Sequence, residues 1–189
     1  MSSTADVQVF WGELAPCDHL VQIYSDDAAF LDALEGFVAG GLRGGEAVIL
    51  IVTRPHRLAL EARLSEHGVD LPAARSQGRY IPLDAEKTLR KFMVRGWPDE
   101  ELFEAVVAEL LDRAGTGGRR VRAFGEMVAL LWAKGQTGAT VRLEHLWHRI
   151  CKRDGLSLFC AYPRSGFTQD AESSLREICE THTRVIPGR

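Results

Sequence analysis

The sequence predicts a three-layer α/β/α domain built on a mostly parallel sheet, and three features carry that prediction. Strand-like and helix-like segments alternate along the chain, the pattern of a parallel sheet covered on both faces by crossover helices. The run Ala47-Val48-Ile49-Leu50-Ile51-Val52-Thr53 is apolar at consecutive positions, so neither of its faces suits water. At 189 residues, 46% of them hydrophobic and 26% charged, the chain has single-domain length and can bury a core without disulfides or metals.

Residues 1–17 read as an arm closed by Pro16. Leu20-Val21-Gln22-Ile23-Tyr24 is the first strand, and Ser25-Asp26-Asp27 supplies an N-cap to a helix. Phe30, Leu31, Leu34, Phe37, Val38 and Leu42 recur at helical spacing as far as Gly44-Gly45. The Ala47–Thr53 strand follows, then a helix from His56 to His67 ended by Gly68. Tyr80-Ile81-Pro82-Leu83 is a short strand; Pro82 cannot donate to a ladder, which puts it at a sheet edge or strand end. Asp84 caps a short helix carrying Leu89, Phe92 and Met93. Trp97-Pro98-Asp99 opens a helix with Leu102, Phe103, Val106, Val107, Leu110 and Leu111 on one face. Arg120 to Phe124 is a strand ending at Gly125-Glu126, and a helix from Thr137 to Asp154 carries the stripe Leu143, Leu146, Trp147, Ile150. Leu156 to Tyr162 is a strand stopped by Pro163. Residues 170–182 form one more helix, and Val185 to Arg189 read as a frayed tail. No repeat or linker divides the chain, so residues 18–168 are the expected domain and 169–189 its C-terminal helix and tail.

Charge and cysteine usage narrow the function classes. A net charge of −3 gives no field to draw in nucleic acid, and the densest basic stretch, Gly118-Arg119-Arg120-Val121-Arg122, alternates as a strand does. Cys17, Cys151, Cys160 and Cys179 make no CxxC pair, which predicts a reduced, cytoplasmic protein. No basic segment followed by an apolar run opens the chain, and no apolar stretch reaches the roughly 20 residues needed to span a bilayer.

In open parallel sheets, ligands bind beyond the carboxyl ends of the strands. Here those ends carry Tyr24-Ser25-Asp26, Thr53-Arg54, Asp84, Gly125-Glu126 and Tyr162-Pro163. Asp26 and Asp84 are first of all caps, because Asp satisfies the free amides of a first helical turn. A phosphate loop would put glycines, then Lys and Ser or Thr, after the first strand. This chain has Tyr24-Ser25-Asp26-Asp27-Ala28-Ala29-Phe30 there, and no lysine in it follows a glycine. Two carboxylates where phosphate needs donors exclude ATP hydrolysis by that route.

Glu126 ends an apolar strand, and carboxylates are seldom buried without a partner. Two readings stay open: a structural pair with Arg122 or another arginine, or contact with a ligand. His19, at the start of the first strand, is either a hydrogen-bonding rim residue or a satisfied structural histidine. On the late helix Glu144, His148 and Cys151 border the apolar stripe while His145 points away. Cys17-Asp18-His19 could add ligands across space. Such spacing follows from any helix flank, so no metal site is predicted. There is no Gly-x-Ser-x-Gly elbow and no HExxH; Ser165 has no evident base, and Cys160, mid-strand, reads as an inert buried thiol. No catalytic residue and no cofactor is expected.

Several segments, in this order, resemble the MEDS family, the methanogen/methylotroph sensory domain. They are His19-Leu20-Val21-Gln22-Ile23-Tyr24-Ser25-Asp26-Asp27, Gly45-Glu46-Ala47-Val48-Ile49, Gln77-Gly78-Arg79-Tyr80, Phe92-Met93 with Gly96-Trp97-Pro98, Arg122-Ala123-Phe124-Gly125-Glu126-Met127-Val128, and Leu158-Phe159-Cys160-Ala161-Tyr162-Pro163. The resemblance covers residues 18–168. It implies a RecA-like fold with a degenerate Walker motif and a sensory role. Members occur in dichloromethane-responsive repressors and beside histidine-kinase modules, with small organic molecules as ligands. One position departs from the family pattern: His148 follows Glu144 and Trp147 where Asn is expected.

Residues 1–17 and 169–189 are too short for a helix-turn-helix or a kinase module. The expectation is therefore a non-catalytic regulator that binds a small molecule and signals through a partner such as a histidine kinase or transcription regulator, with homodimerisation possible and no direct nucleic-acid or membrane contact. The candidate ligand-binding residues are His19, Tyr24, Ser25, Asp26, Thr53, Arg122, Glu126, Trp132, Glu144, Trp147, His148 and Tyr162. A residual nucleotide binder and a pure interaction scaffold are the alternatives.

Overall fold

The structure, a computed structural model, describes residues 11–166 and 172–186. Its strands are β1 (His19–Tyr24), β2 (Ala47–Val52), β3 (Tyr80–Asp84), β4 (Met93–Val94), β5 (Trp97–Pro98), β6 (Val121–Gly125), β7 (Ser157–Pro163) and β8 (Arg184–Ile186). Its α-helices are α1 (Asp27–Arg43), α2 (Arg54–Glu66), α3 (Leu71–Ser76), α4 (Ala85–Arg90), α5 (Glu100–Ala114), α6 (Met127–Ala133), α7 (Thr137–Asp154) and α8 (Glu172–Thr181). Six strands form one sheet in the order β3-β2-β6-β7-β1-β8, every pairing parallel. The α/β/α architecture is the one expected.

Strand alternation splits the core into two layers. Ile49 and Ile51 of β2 pack with Phe103, Leu143, Leu146 and Trp147 beneath α5, α6 and α7. Val48, Leu50 and Val52 face the other way and join Phe30, Leu34, Phe37 and Leu60 beneath α1 and α2. All six β2 residues are buried, as a central parallel strand requires. Asp26, Asp70, Asp84 and Asp99 each accept a hydrogen bond from the amide three residues on, so Asp26 and Asp84 are caps as expected. Pro82 sits in β3, the edge strand, in keeping with its missing N–H.

Four pieces of the fold depart from the sequence reading. Helices α3 and α6 and the β4–β5 ribbon were not foreseen; they hold six, seven and two paired residues respectively, too few for a period to declare itself. The supposed tail at Val185 instead enters the sheet: Leu20, Val21 and Gln22 of β1 pair with Arg184, Val185 and Ile186. Thr183 fastens that junction, its N–H donating to the His19 carbonyl at 2.7 Å and its hydroxyl accepting from the His19 N–H at 2.9 Å. Residues 187–189 and most of the proposed arm, residues 1–10, lie outside the described residues. The described end of the arm is docked: Trp11 packs edge-on to Phe37 and against Phe159, over Gly36, where a Cβ would stand 2.4 Å from its indole.

Arg122 is the clearest correction among the candidate site residues. It lies at the amino end of the sheet, opposite Val48 and Ser157, and does not pair with Glu126. Its guanidinium is 1% exposed, donates from Nε to Glu46 and from Nη1 to the Phe37 carbonyl at 3.1 Å, and lies over the Phe37 ring. Gly41 makes room for it, since a Cβ there would stand 2.9 Å from Arg122 Cδ. Glu46→Ala leaves this guanidinium buried and unanswered, which typically costs about 3–5 kcal/mol. The expected fall in melting temperature is roughly 6–20 °C for a chain of this size, whereas the double replacement Glu46→Met/Arg122→Met recovers most of it in calorimetry.

Candidate functional site

Two polar clusters are built into the apolar layers. The first stands at the carboxyl ends of β2 and β6. After β2 the chain leaves toward β3, and after β6 toward β7, so the connections diverge at this point, the place where open α/β sheets put a ligand crevice. Glu126 follows β6 and is 6% exposed. Its N–H donates to the Ile51 carbonyl at 2.8 Å. Its carboxylate accepts from the Thr53 N–H at 2.7 Å and the Thr53 hydroxyl at 3.1 Å, and lies 2.8 Å from His56 Nδ1. A carboxylate only accepts, so Nδ1 carries the hydrogen. Thr53 is the N-cap of α2, with Pro55 in its first turn and His56 behind it. Glu126 thus supplies, from another strand, the carboxylate that in a capping box would come from within the helix.

Aromatic rings wall this crevice. Tyr24 stacks on Phe30 at 4.7 Å, and Phe30 meets His56 edge-on at 5.0 Å. Burial, then the charges of Glu126 and Asp27, push the Tyr24 hydroxyl up to about 12. On the opposite layer Trp147 reaches Gly125: a Cβ on Gly125 would lie 3.7 Å from its Nε1. That buried indole N–H has no hydrogen-bond partner among the described residues.

The second cluster is enclosed between the sheet and helices α7 and α8. Glu144 of α7 is fully buried. Its Oε2 lies 3.4 Å from Nε2 of His19 and 3.4 Å from Nε2 of His182. The Cys160 thiol stands 3.6 Å from that same oxygen and 3.6 Å from His19 Nε2. Tyr162 donates its hydroxyl to the other oxygen, Oε1. Burial opposes ionisation of Glu144, yet the imidazoles of His182 and then His19 hold it well below the carboxylate range. Burial would lower both histidines; it prevails at His19, whereas Glu144 holds His182 above its usual value. Burial, reinforced by Glu144, pushes the Cys160 thiol far up, which removes it as a nucleophile.

The twelve candidates therefore separate. Tyr24, Thr53 and Glu126 meet at the crevice, and Ser25 and Asp26 stand exposed at the end of β1. His19, Glu144 and Tyr162 belong to the enclosed cluster, and His148, half-buried, borders it with its ring 5.8 Å from that of His19. Trp147 lies between the two. Trp132 donates to the Gly166 carbonyl at 2.7 Å and packs edge-on against Tyr162. Arg122 belongs to neither. Sequence reasoning missed His56 at the crevice and His182 in the enclosed cluster, and gave Cys160 no polar company. His56 had a usable signal, three residues after a Thr in N-cap position; His182 had none, because only the return of α8 onto β1 brings it in.

The family model described as MEDS, MEthanogen/methylotroph, DcmR Sensory domain, matches residues 18–183. The chain belongs to the MEDS family. No curated protein matches it. The matched span of this MEDS domain runs from just before β1 to Thr183 and so contains both clusters. The family's role is sensory, and the signalling part of the expectation stands on that match. Among the described residues, no helix is long and apolar enough to cross a membrane.

Two outcomes follow for the crevice of the MEDS domain. Glu126→Ala strips two donors and a histidine of their acceptor and should cost about 1.5–3 kcal/mol in urea unfolding. The Glu126 hydrogen bond raises the His56 pKa, partly offset by burial. The stabilisation from protonated His56 is therefore complete below about pH 6.5, the free-imidazole value, and is lost as pH rises through the higher folded value. Melting temperatures of the wild type and His56→Gln should differ most below about pH 6.5 and converge once pH has passed the raised folded value.

Proposed function

We propose that this MEDS domain is a non-catalytic sensor that takes a small organic molecule at the crevice between the ends of β2 and β6 and passes the signal by association with a regulatory protein. The observation that supports it best is the convergence of Tyr24, Thr53, His56 and Glu126 at the place where the sheet's connections diverge, with the unpartnered Trp147 N–H behind Gly125 on the opposite layer. The crevice combines aromatic walls with a few fixed polar groups, the make-up of small-molecule sites. Asp26, Asp27 and Glu126 bias it toward neutral or cationic ligands, and an N–H without an acceptor suits a ligand oxygen or halogen. We further propose descent from RecA-like ATPases. The parallel sheet with its polar rim is consistent with that origin, and the aspartates after β1 account for loss of nucleotide.

A ligand signals only if it binds two conformations with different affinity. The partner is a histidine kinase or a transcription regulator, and a second copy of the chain is the competing partner. A thermal-shift panel of small alcohols, ketones, amines, haloalkanes and magnesium-ATP tests the site. At a concentration near 100-fold above Kd, the cognate compound should raise the melting temperature by roughly 5–10 °C, and Tyr24→Ala and Trp147→Phe should reduce that gain. No stabilising compound in the panel, or a shift by magnesium-ATP alone, sinks the reading.

A further inference from the structure

We propose that His19, Glu144, Cys160 and His182 form a four-coordinate site for a divalent cation of the zinc class, enclosed between β1, β7, α7 and the α8–β8 junction. The proposal stands independently of the crevice reading. One donor atom from each of the four side chains lies within 4.8 Å of the others, and all four residues are buried. Four of the separations are 3.4, 3.4, 3.6 and 3.6 Å. A tetrahedron with metal–nitrogen and metal–oxygen bonds of about 2.0–2.2 Å and a metal–sulfur bond of about 2.3 Å has edges of about 3.3–3.7 Å. These four of the six edges match ligands around one cation. The two nitrogen–oxygen separations, 3.4 Å each, are longer than a charge-assisted N–H to carboxylate hydrogen bond, which runs at about 2.7–2.9 Å.

Orientation agrees with distance. His182 Nδ1 faces the Ile178 carbonyl, and a carbonyl only accepts, so Nδ1 carries the hydrogen. Nε2 is therefore the ring nitrogen that faces Glu144, 3.4 Å from Oε2, has no hydrogen-bond partner among the described residues, and in the neutral ring would turn its lone pair there. A backbone carbonyl that fixes the tautomer of a ligating histidine is the usual outer support of a metal site. Tyr162 plays the equivalent part for Glu144 by engaging Oε1, which leaves Oε2 as the single coordinating oxygen. Charge balances as well. A divalent cation is neutralised by one carboxylate and one thiolate, with both imidazoles neutral, so no net charge is left in a dry layer. Four protein ligands and no exposed face make this a closed, structural site. It would fasten α8 and β8, which follow the bulk of the domain in sequence, to its first strand.

The test uses the untagged full chain. Zinc content after dialysis without chelator is measured by mass spectrometry, and one equivalent per chain is expected. Cobalt(II) added to the chelator-stripped chain should give tetrahedral d–d absorption and a thiolate-to-cobalt charge-transfer band that saturate at one equivalent. The charge-transfer band should vanish in Cys160→Ser and persist in Cys17→Ser and Cys179→Ser. His182→Gln should weaken cobalt binding by more than the roughly 10–100-fold typical of losing an outer-shell partner. Zinc at about 100-fold above Kd should raise the melting temperature of the stripped chain by roughly 5–10 °C. A wild-type chain with no stoichiometric zinc and no thiolate-to-cobalt band overturns the proposal without recourse to any variant. So does a band that survives Cys160→Ser and disappears with Cys17 or Cys179.

Discussion

A carboxylate removed from water must be met by counter-charge or donors, and this domain meets that requirement at three depths. Glu46 answers Arg122 at the amino end of the sheet. Glu126 gathers Thr53 and His56 at the carboxyl end. Glu144 lies beneath the sheet among His19, His182, Cys160 and Tyr162. Each joins segments remote in sequence, and each works only in one register. A one-residue slip of β6 would turn Arg122 toward the layer of α5 and α7 and leave Glu46 unpaired. These buried pairs thus add little net stability over apolar packing but penalise the wrong arrangements heavily.

Most of the scaffold was legible because its signals are local. The unbroken apolar run at β2, the caps Asp26 and Asp84 and Pro82 at an edge strand are each read from a few neighbouring residues, and the structure repeats them. What escaped is what depends on return of the chain. β8 is three residues long and becomes a strand only because β1 offers an open edge. Whether Arg122 pairs with Glu126 stayed open for the same reason: the two lie at opposite ends of β6, and only the register of β2 brings Glu46 to Arg122 instead. Cys160 is the buried, unreactive thiol expected, but its polar neighbours escaped, because they come from β1 and α7 and not from its own strand.

The ends of β1 and β2 differ from a phosphate loop in chemistry as well as in motif. Phosphate binding needs backbone N–H groups and cations turned toward the ligand. Here the turn after β1 gives Asp26 to its own helix, with the Ala29 N–H donating to it at 2.9 Å. The Thr53 N–H after β2 is taken by Glu126. Two donors that a triphosphate could use are thus held by side chains. Trp147 Nε1, which has no partner among the described residues, is a single neutral N–H behind Gly125.

Helix α7 links the two clusters. Trp147 approaches Gly125 at the crevice, and Glu144, one turn earlier on the same helix, holds the enclosed cluster. Residues three apart on a helix share a face, so a ligand that moves the indole must also load the carboxylate. That carboxylate faces His182, whose neighbour Thr183 is bonded to β1 and leads into β8. On the proposed sensory reading, occupancy of the crevice is therefore felt at β8, the outermost strand, where Val185 is 57% exposed. Packed layers do not deform smoothly; they change between discrete arrangements. Cation binding at the proposed site would tie β1, α7, β7 and the end of α8 together through the same four side chains.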